Sequence, residues 1–127
     1  MKMSIEENKA LVMRFLNEFM IEHKVEVLDE LLGPSYTQHN PGLGNGKAEL
    51  IRFFQEFWEI YPKPGYHLKR IIAEGDLVAI HYHFQPDPNE KGMAIVDIFR
   101  VENGKLVEHW DVCQQWPEKS LCENPMF

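Results

Sequence analysis

Apolar residues recur at three- and four-residue spacing from Ile5 to Ile21, where Leu11, Val12, Phe15, Leu16, Phe19 and Met20 share a face and Glu6, Glu7, Arg14 and Glu18 fall largely between them. That period predicts an amphipathic helix with one side against a core. A second, short helix is predicted near Lys24 to Leu32, through Val25, Val27, Leu28, Leu31 and Leu32, with Gly33-Pro34 as its stop. A third, from Lys47 to about Tyr61, is aromatic along much of its length: Phe53, Phe54, Phe57, Trp58 and Tyr61 join Leu50 and Ile51. A stripe that wide can pack on a core and still line a ligand cavity, so Phe54 and Trp58 are candidate ligand contacts.

After Pro62 and Pro64 the period changes. Tyr66 to Ala73, Leu77 to Phe84, Met93 to Val101 and Lys105 to Gln115 are strand-like, separated by Glu74-Gly75-Asp76, by the proline-containing Gln85 to Lys91, and by Glu102-Asn103-Gly104. Helices first and strands afterwards predict a single α+β domain over residues 1–127, its helices packed on one face of a curved antiparallel sheet. One stretch fits neither pattern. Tyr36 to Pro41, followed by a glycine-rich loop from Gly42 to Gly46, is polar and aromatic, unlike a solvated linker or a core strand.

A net charge of −7 argues against nucleic acid or an anionic membrane surface as partner, since both attract basic patches. The first ten residues carry acids where a secretory peptide would have its apolar core, and no later apolar run is long enough to span a bilayer. Two cysteines make no disulfide framework, and a cytoplasmic location is expected.

The candidate chemistry lies in the last two strands. Asp97 interrupts Val96 and Ile98, and Asp111 interrupts Trp110 and Val112, so each carboxylate falls in a strand that is otherwise apolar. A buried carboxylate needs partners or a changed protonation state, and a pair of them in a cavity is one way to place a general acid or base. Alternation along Leu77 to Phe84 puts Val78, Ile80, Tyr82 and Phe84 on one face, with His81 and His83 projecting side by side on the other. An imidazole near a carboxylate makes a proton-transfer pair that works close to neutral pH. Tight metal-ligand spacings are missing, so no metal is expected, although His39, His109, Asp97 and Asp111 could add ligands to the two histidines.

Four segments together, YTQHNP at 36–41, AEGDLVAIHYHF at 73–84, VDIFRVENGKLVEHWDV at 96–112 and the closing NPMF, resemble the SnoaL-like polyketide cyclase family, in its bacterial branch of predicted aldol-condensation-catalysing proteins. The resemblance covers nearly the whole chain. It implies a cone-shaped fold of the nuclear transport factor two-like superfamily, enclosing an apolar pocket, and a homodimer. It also implies that Asp111 is the base that removes a proton α to a carbonyl. Asp97 resembles the protonated Asp of the related ketosteroid isomerases, which donates a hydrogen bond to an enolate oxygen. The expected function is enolate chemistry on a small apolar carbonyl compound without a cofactor: Asp111, Asp97, His81 and His83 catalytic, with His39, His109, Tyr36, Phe54, Trp58 and Phe99 contacting ligand. The competing expectation is a non-catalytic ligand-binding or dimerisation module, because one fold hosts many functions.

Everything depends on the hairpin register. A two-residue Asn103-Gly104 loop would set Asp97 opposite Trp110 and send the two acids to opposite faces. A three-residue loop with Gly104 at positive φ would pair Val101 with Lys105 and Asp97 with His109, placing Asp97, His109, Asp111 and Cys113 on one face and turning Trp110 outward. The three-residue loop is expected. Apolar residues on both sheet faces further predict a homodimer through the outer face around Trp110.

Overall fold

A computed structural model describes residues 3–127. Ser4 caps the first helix reciprocally with Glu7, and α1 (Ile5–Arg14) continues as a wider, π-helical stretch, Phe15–Ile21. Such stretches change the angular spacing of side chains along a helix; here Phe15 and Met20 reach the central cavity while Phe19 is wholly buried beside them. A short second helix combines a tight turn, Val25–Val27, with α2 (Leu28–Leu31). The long aromatic helix is α3 (Lys47–Ile60).

Five strands form one sheet in the order β1-β5-β4-β3-β2: β1 (Leu32–Gln38), β2 (Gly65–Glu74), β3 (Leu77–Gln85), β4 (Met93–Glu102) and β5 (Lys105–Gln115). The α+β cone with its three helices is as expected, but the sheet is mixed rather than purely antiparallel. The Gly33-Pro34 pair does not stop a helix; it lies inside β1, which runs parallel to β5 at the sheet edge. An edge strand tolerates Pro34 because its missing N–H removes no central ladder bond. The enigmatic 36–41 segment is thus the end of this fifth strand and the loop after it.

The hairpin corrects the expected register. The loop is the two-residue one, with Asn103 at φ 51° and Gly104 at φ 72°, both left-handed as the twist of a tight hairpin favours. Glu102 pairs with Lys105 and Val101 with Leu106, but Arg100 then pairs with Glu108 and Asp97 with Asp111. Val107 is therefore an extra residue, a bulge that shifts β5 by one and returns both acids to the same face. Its side chain packs where a β-carbon on Gly33 would stand, 2.8 Å from Val107 Cγ1, so glycine in β1 makes room for the bulge in β5.

Candidate active site

The concave face of the sheet and the helices enclose a cavity of about 200 Å³. Its walls are apolar, with Phe53, Phe54 and Phe57 from α3 facing Phe84, Met93 and Ile95 from the sheet. Its polar residues come from neighbouring strands and the β1 loop: Tyr36, Gln38 and Asn40, then Asp97, His109 and Asp111. Phe53 and Cys113 are the more exposed lining residues, whereas Tyr36, Asp97 and Phe99 are buried, so the polar groups lie deep and the mouth is apolar.

Hydrogen bonds determine the roles at this deep end. The Gln38 side-chain oxygen accepts from the backbone N–H groups of His39 and Asn40, at 3.1 and 3.0 Å, which orients its amide. The same oxygen lies 2.7 Å from His109 Nδ1, so that nitrogen must carry hydrogen and donate to it. His109 Nε2 stands 2.9 Å from Asp97 Oδ1. One proton therefore lies between imidazole and carboxyl, either as imidazolium against carboxylate or as neutral imidazole against carboxylic acid. The Tyr82 hydroxyl donates to Asp97 Oδ2 at 2.6 Å and completes a chain from Gln38 to Tyr82.

Asp111 is held separately. Asn40 Oδ1 accepts from Gly42 N–H at 2.7 Å, which turns Asn40 Nδ2 toward Asp111, where it lies 3.0 and 2.8 Å from the two carboxylate oxygens. Asp111 Oδ2 is 3.7 Å from His109 Nε2, too far for a direct hydrogen bond but close for proton exchange once a ligand is present. One ligand atom from each of Asp97, His109 and Asp111 lies within 4.8 Å of the others, which makes them the set among the described residues that could hold a metal ion. Burial raises the Tyr36 and Tyr82 hydroxyls well above the usual phenol range, with the Asp97 charge adding to it, so both stay protonated donors. Burial also lifts the Cys113 thiol to about 11, with Asp111 and then Asp97 adding, which leaves it a poor nucleophile.

The structure brings Asp97, Asp111, His109, Tyr36, Phe54 and Phe99 to the cavity and keeps four other expected residues out of it. His81 and His83 are on the convex face, because Ile80 and Tyr82 point inward and a strand alternates. There His81 faces the Arg70 guanidinium, His83 bonds the Lys91 carbonyl, and Trp116 and Phe127 of the carboxy-terminal segment cover the His83 ring. The expectation that they share the acids' pocket is corrected accordingly. His39 is likewise out, since Tyr36 and Gln38 point in; it stacks on Trp110 at 5.0 Å and pairs with Glu108. Trp58 faces the π-helical stretch, packing on Phe19 and stacking on His23 at 4.1 Å.

Gln38, Asn40 and Tyr82 escaped the sequence reading. The first two belong to the polar segment that matched no regular element, and Tyr82 looked like core because its strand alternates with apolar neighbours.

Comparison with known proteins agrees with this architecture. The family model described as a SnoaL-like domain matches residues 12–109. No curated protein sequence matches the chain. Among solved structures, a candidate ketosteroid isomerase from Kribbella flavida is 21% identical with a TM-score of 0.77, covering 95% of this chain and 91% of its own. A SnoaL-like protein of unknown function from Burkholderia thailandensis is 14% identical with a TM-score of 0.74, over 90% of this chain and 99% of that one. IdmH, a candidate polyketide cyclase from Streptomyces antibioticus, is 22% identical with a TM-score of 0.69, over 84% and 91%. At such identities these likenesses concern the fold.

Proposed function

Since the chain belongs to the SnoaL-like domain family, we propose that its cavity performs enolate chemistry on a small apolar carbonyl compound. The observation that carries this reading is a carboxylate at the closed end of an apolar cavity, Asp111 oriented by Asn40, beside the His109–Asp97 pair that shares one proton. Asp111 takes the proton from the carbon next to the carbonyl; the C–H electron pair becomes the enolate double bond and charge moves onto oxygen. His109, backed by Asp97, supplies a proton or a hydrogen bond to that oxygen. The enolate carbon then attacks a second carbonyl, as in an aldol cyclisation, or is reprotonated elsewhere, as in an isomerisation. Gln38 keeps His109 Nδ1 protonated, so that Nε2 is the nitrogen that exchanges the working proton.

The proposal extends to assembly and location. Val112 and Ile72 on the convex face are 70% and 62% exposed, and Ile72, Ala79, Ile98 and Trp110 align across four strands there. A second copy packed on this face would cover them. Two unpaired thiols, Cys113 and Cys122, suit a reducing cytoplasm.

The test is deuterium incorporation next to the carbonyl of small ketones in heavy water, followed by NMR. Asp111→Asn is expected to lower that exchange by about two to four orders of magnitude with the fold retained in circular dichroism. Binding without exchange in the unmodified protein would favour the ligand-binding module instead.

A further inference from the structure

Two hydroxyls in the cavity have no work in the proton chain. Tyr36 and Tyr66 line it, yet neither is a partner in any side-chain hydrogen bond among the described residues, whereas the neighbouring Tyr82 hydroxyl is committed to Asp97. Tyr36 is 3% exposed and lines the cavity, and its hydroxyl is not among the unpartnered polar atoms fully shut off from solvent, which among the described residues are Asn8 Oδ1 and Trp58 Nε1. A buried phenol with an unused O–H opening onto a cavity is a donor waiting for an acceptor. Tyr36 is also the better placed of the two. It points inward from β1 two residues before Gln38, which pairs with His109, and burial keeps its hydroxyl protonated with the charges of both Asp97 and Asp111 adding, whereas at Tyr66 burial is joined by Asp97 alone.

The cavity itself selects by size and charge. An apolar cavity of about 150 Å³ accepts benzene, and pockets for drug-sized ligands span roughly 300–1,000 Å³. A cavity of about 200 Å³ lies just above the first figure. A fused four-ring skeleton is several times the bulk of benzene, so most of it would stand outside the cavity mouth. Among the described residues no Lys or Arg lines the walls, while Asp97 and Asp111 do, so an anionic ligand meets two carboxyl groups with only His109, already paired with Asp97, to offset them.

We infer that the cavity takes an uncharged carbonyl compound of about one ring, which enters with its oxygen leading, accepts a hydrogen bond on that oxygen from the Tyr36 hydroxyl and presents its α-carbon to Asp111. The inference rests on the enolate reading of the same residues and narrows its substrate. Tyr36 then acts as a catalytic residue: its O–H remains intact and strengthens its hydrogen bond as charge develops on the substrate oxygen, while the α-proton goes to Asp111.

Binding and turnover separate the two readings experimentally. The probes are cyclohexanone and acetophenone, the four-ring ketone progesterone, benzoate as the anion and benzyltrimethylammonium as the cation. Affinity is measured by ligand-observed NMR, the carbonyl stretch of bound ketone by infrared difference spectroscopy, and α-deuterium exchange separately. The one-ring ketones are expected to bind best, with the carbonyl stretch lowered relative to apolar solvent. In Tyr36→Phe that lowering should shrink, leaving only what His109 contributes, affinity should fall several-fold, and exchange should fall about 100-fold. Tyr66→Phe should retain the lowered stretch.

Preferential binding of progesterone, benzoate or the ammonium probe overturns the size and charge inference, and so does a failure of both one-ring ketones to bind at millimolar concentration. An unchanged stretch in Tyr36→Phe, or its loss in Tyr66→Phe instead, overturns the assignment of Tyr36. Should Tyr36→Phe not fold, an unlowered stretch in the unmodified protein does the same. One-ring ketones that bind with a lowered stretch but never exchange uphold the size, the charge and the Tyr36 hydrogen bond while removing the enolate reading and, with it, the catalytic part given to Tyr36.

Discussion

Gln38 governs the protonation pattern of the site from the cavity wall. Its oxygen collects three N–H groups: two from the backbone of the following residues and one from His109. The His39 N–H also donates to the His109 carbonyl at 3.0 Å, so replacing Gln38 by leucine strands the Asn40 N–H and His109 Nδ1, at a cost of about 1–3 kcal/mol. Urea unfolding of Gln38→Leu is expected to show that loss, and nitrogen NMR should show His109 no longer held with its proton on Nδ1. The two thiols offer a second check at this scale. Cys122 is exposed and its thiol is lowered by the Ser120 hydroxyl, whereas the Cys113 thiol is raised to about 11. A raised thiol pKa means less thiolate at any lower pH. Iodoacetamide at pH 8 should therefore label Cys122 first, and labelling of Cys113 should grow about tenfold per pH unit until its own titration is reached. Equal rates at pH 8, measured by mass spectrometry, would contradict this.

Among the elements, the two hairpins that build the inner wall depend on different devices. The β4–β5 hairpin combines a two-residue turn with the Val107 bulge, and either feature alone would send Asp97 and Asp111 to opposite faces. The β3–β4 connection depends on Gly92, whose φ is 78° and where an added β-carbon would stand 1.9 Å from the Phe84 carbonyl oxygen. The neighbouring atoms are all backbone of Phe84 and Gln85, so the chain itself must shift to relieve that contact. Gly92→Ala is expected to destabilise by more than about 2 kcal/mol and to disturb ligand binding, since Phe84 lines the cavity. Gly75→Ala is the control: its φ is 59° but nothing lies within 4 Å, so only the left-handed conformational cost of about 1 kcal/mol should appear. Thermal unfolding of the pair measures the difference.

For the whole molecule, the cone has two apolar faces and covers one of them with its own helices. The convex face is covered in part by Trp116 and Phe127 around His83, while Val112 remains 70% exposed. An arginine at that position would place a charge at the centre of the proposed contact between copies, and desolvating it there is costly. Sedimentation velocity at micromolar concentration should show a dimer for the unmodified protein and a monomer for Val112→Arg. Ligand binding in the cavity should persist in the variant, because residue 112 points to the other side of the sheet from Asp111. A monomeric unmodified protein removes the proposal.

Much of this was legible in one dimension. Helical and strand periods are enforced within a few residues by backbone sterics and burial, so the aromatic helix at Lys47–Ile60, the four consecutive strands and the division of β3 into Ile80 and Tyr82 on one face and His81 and His83 on the other follow from local spacing. The hairpin around Asn103-Gly104 announced itself for the same reason, though the three-residue loop expected there is a two-residue turn. The bulge at Val107 did not, because nothing about a valine distinguishes it there; its place is decided by Gly33, more than seventy residues away, which leaves room for it. The fifth strand was hidden for a related reason. Leu32–Gln38 pairs with β5 rather than with a sequence neighbour, and only that pairing brings Gln38 to His109 and Asn40 to Asp111, each across 71 positions. Which histidine joins the acids was likewise a tertiary outcome. Alternation tells which side chains share a face of a strand, but which face becomes the inside of the cone is settled by how the helices close over the sheet.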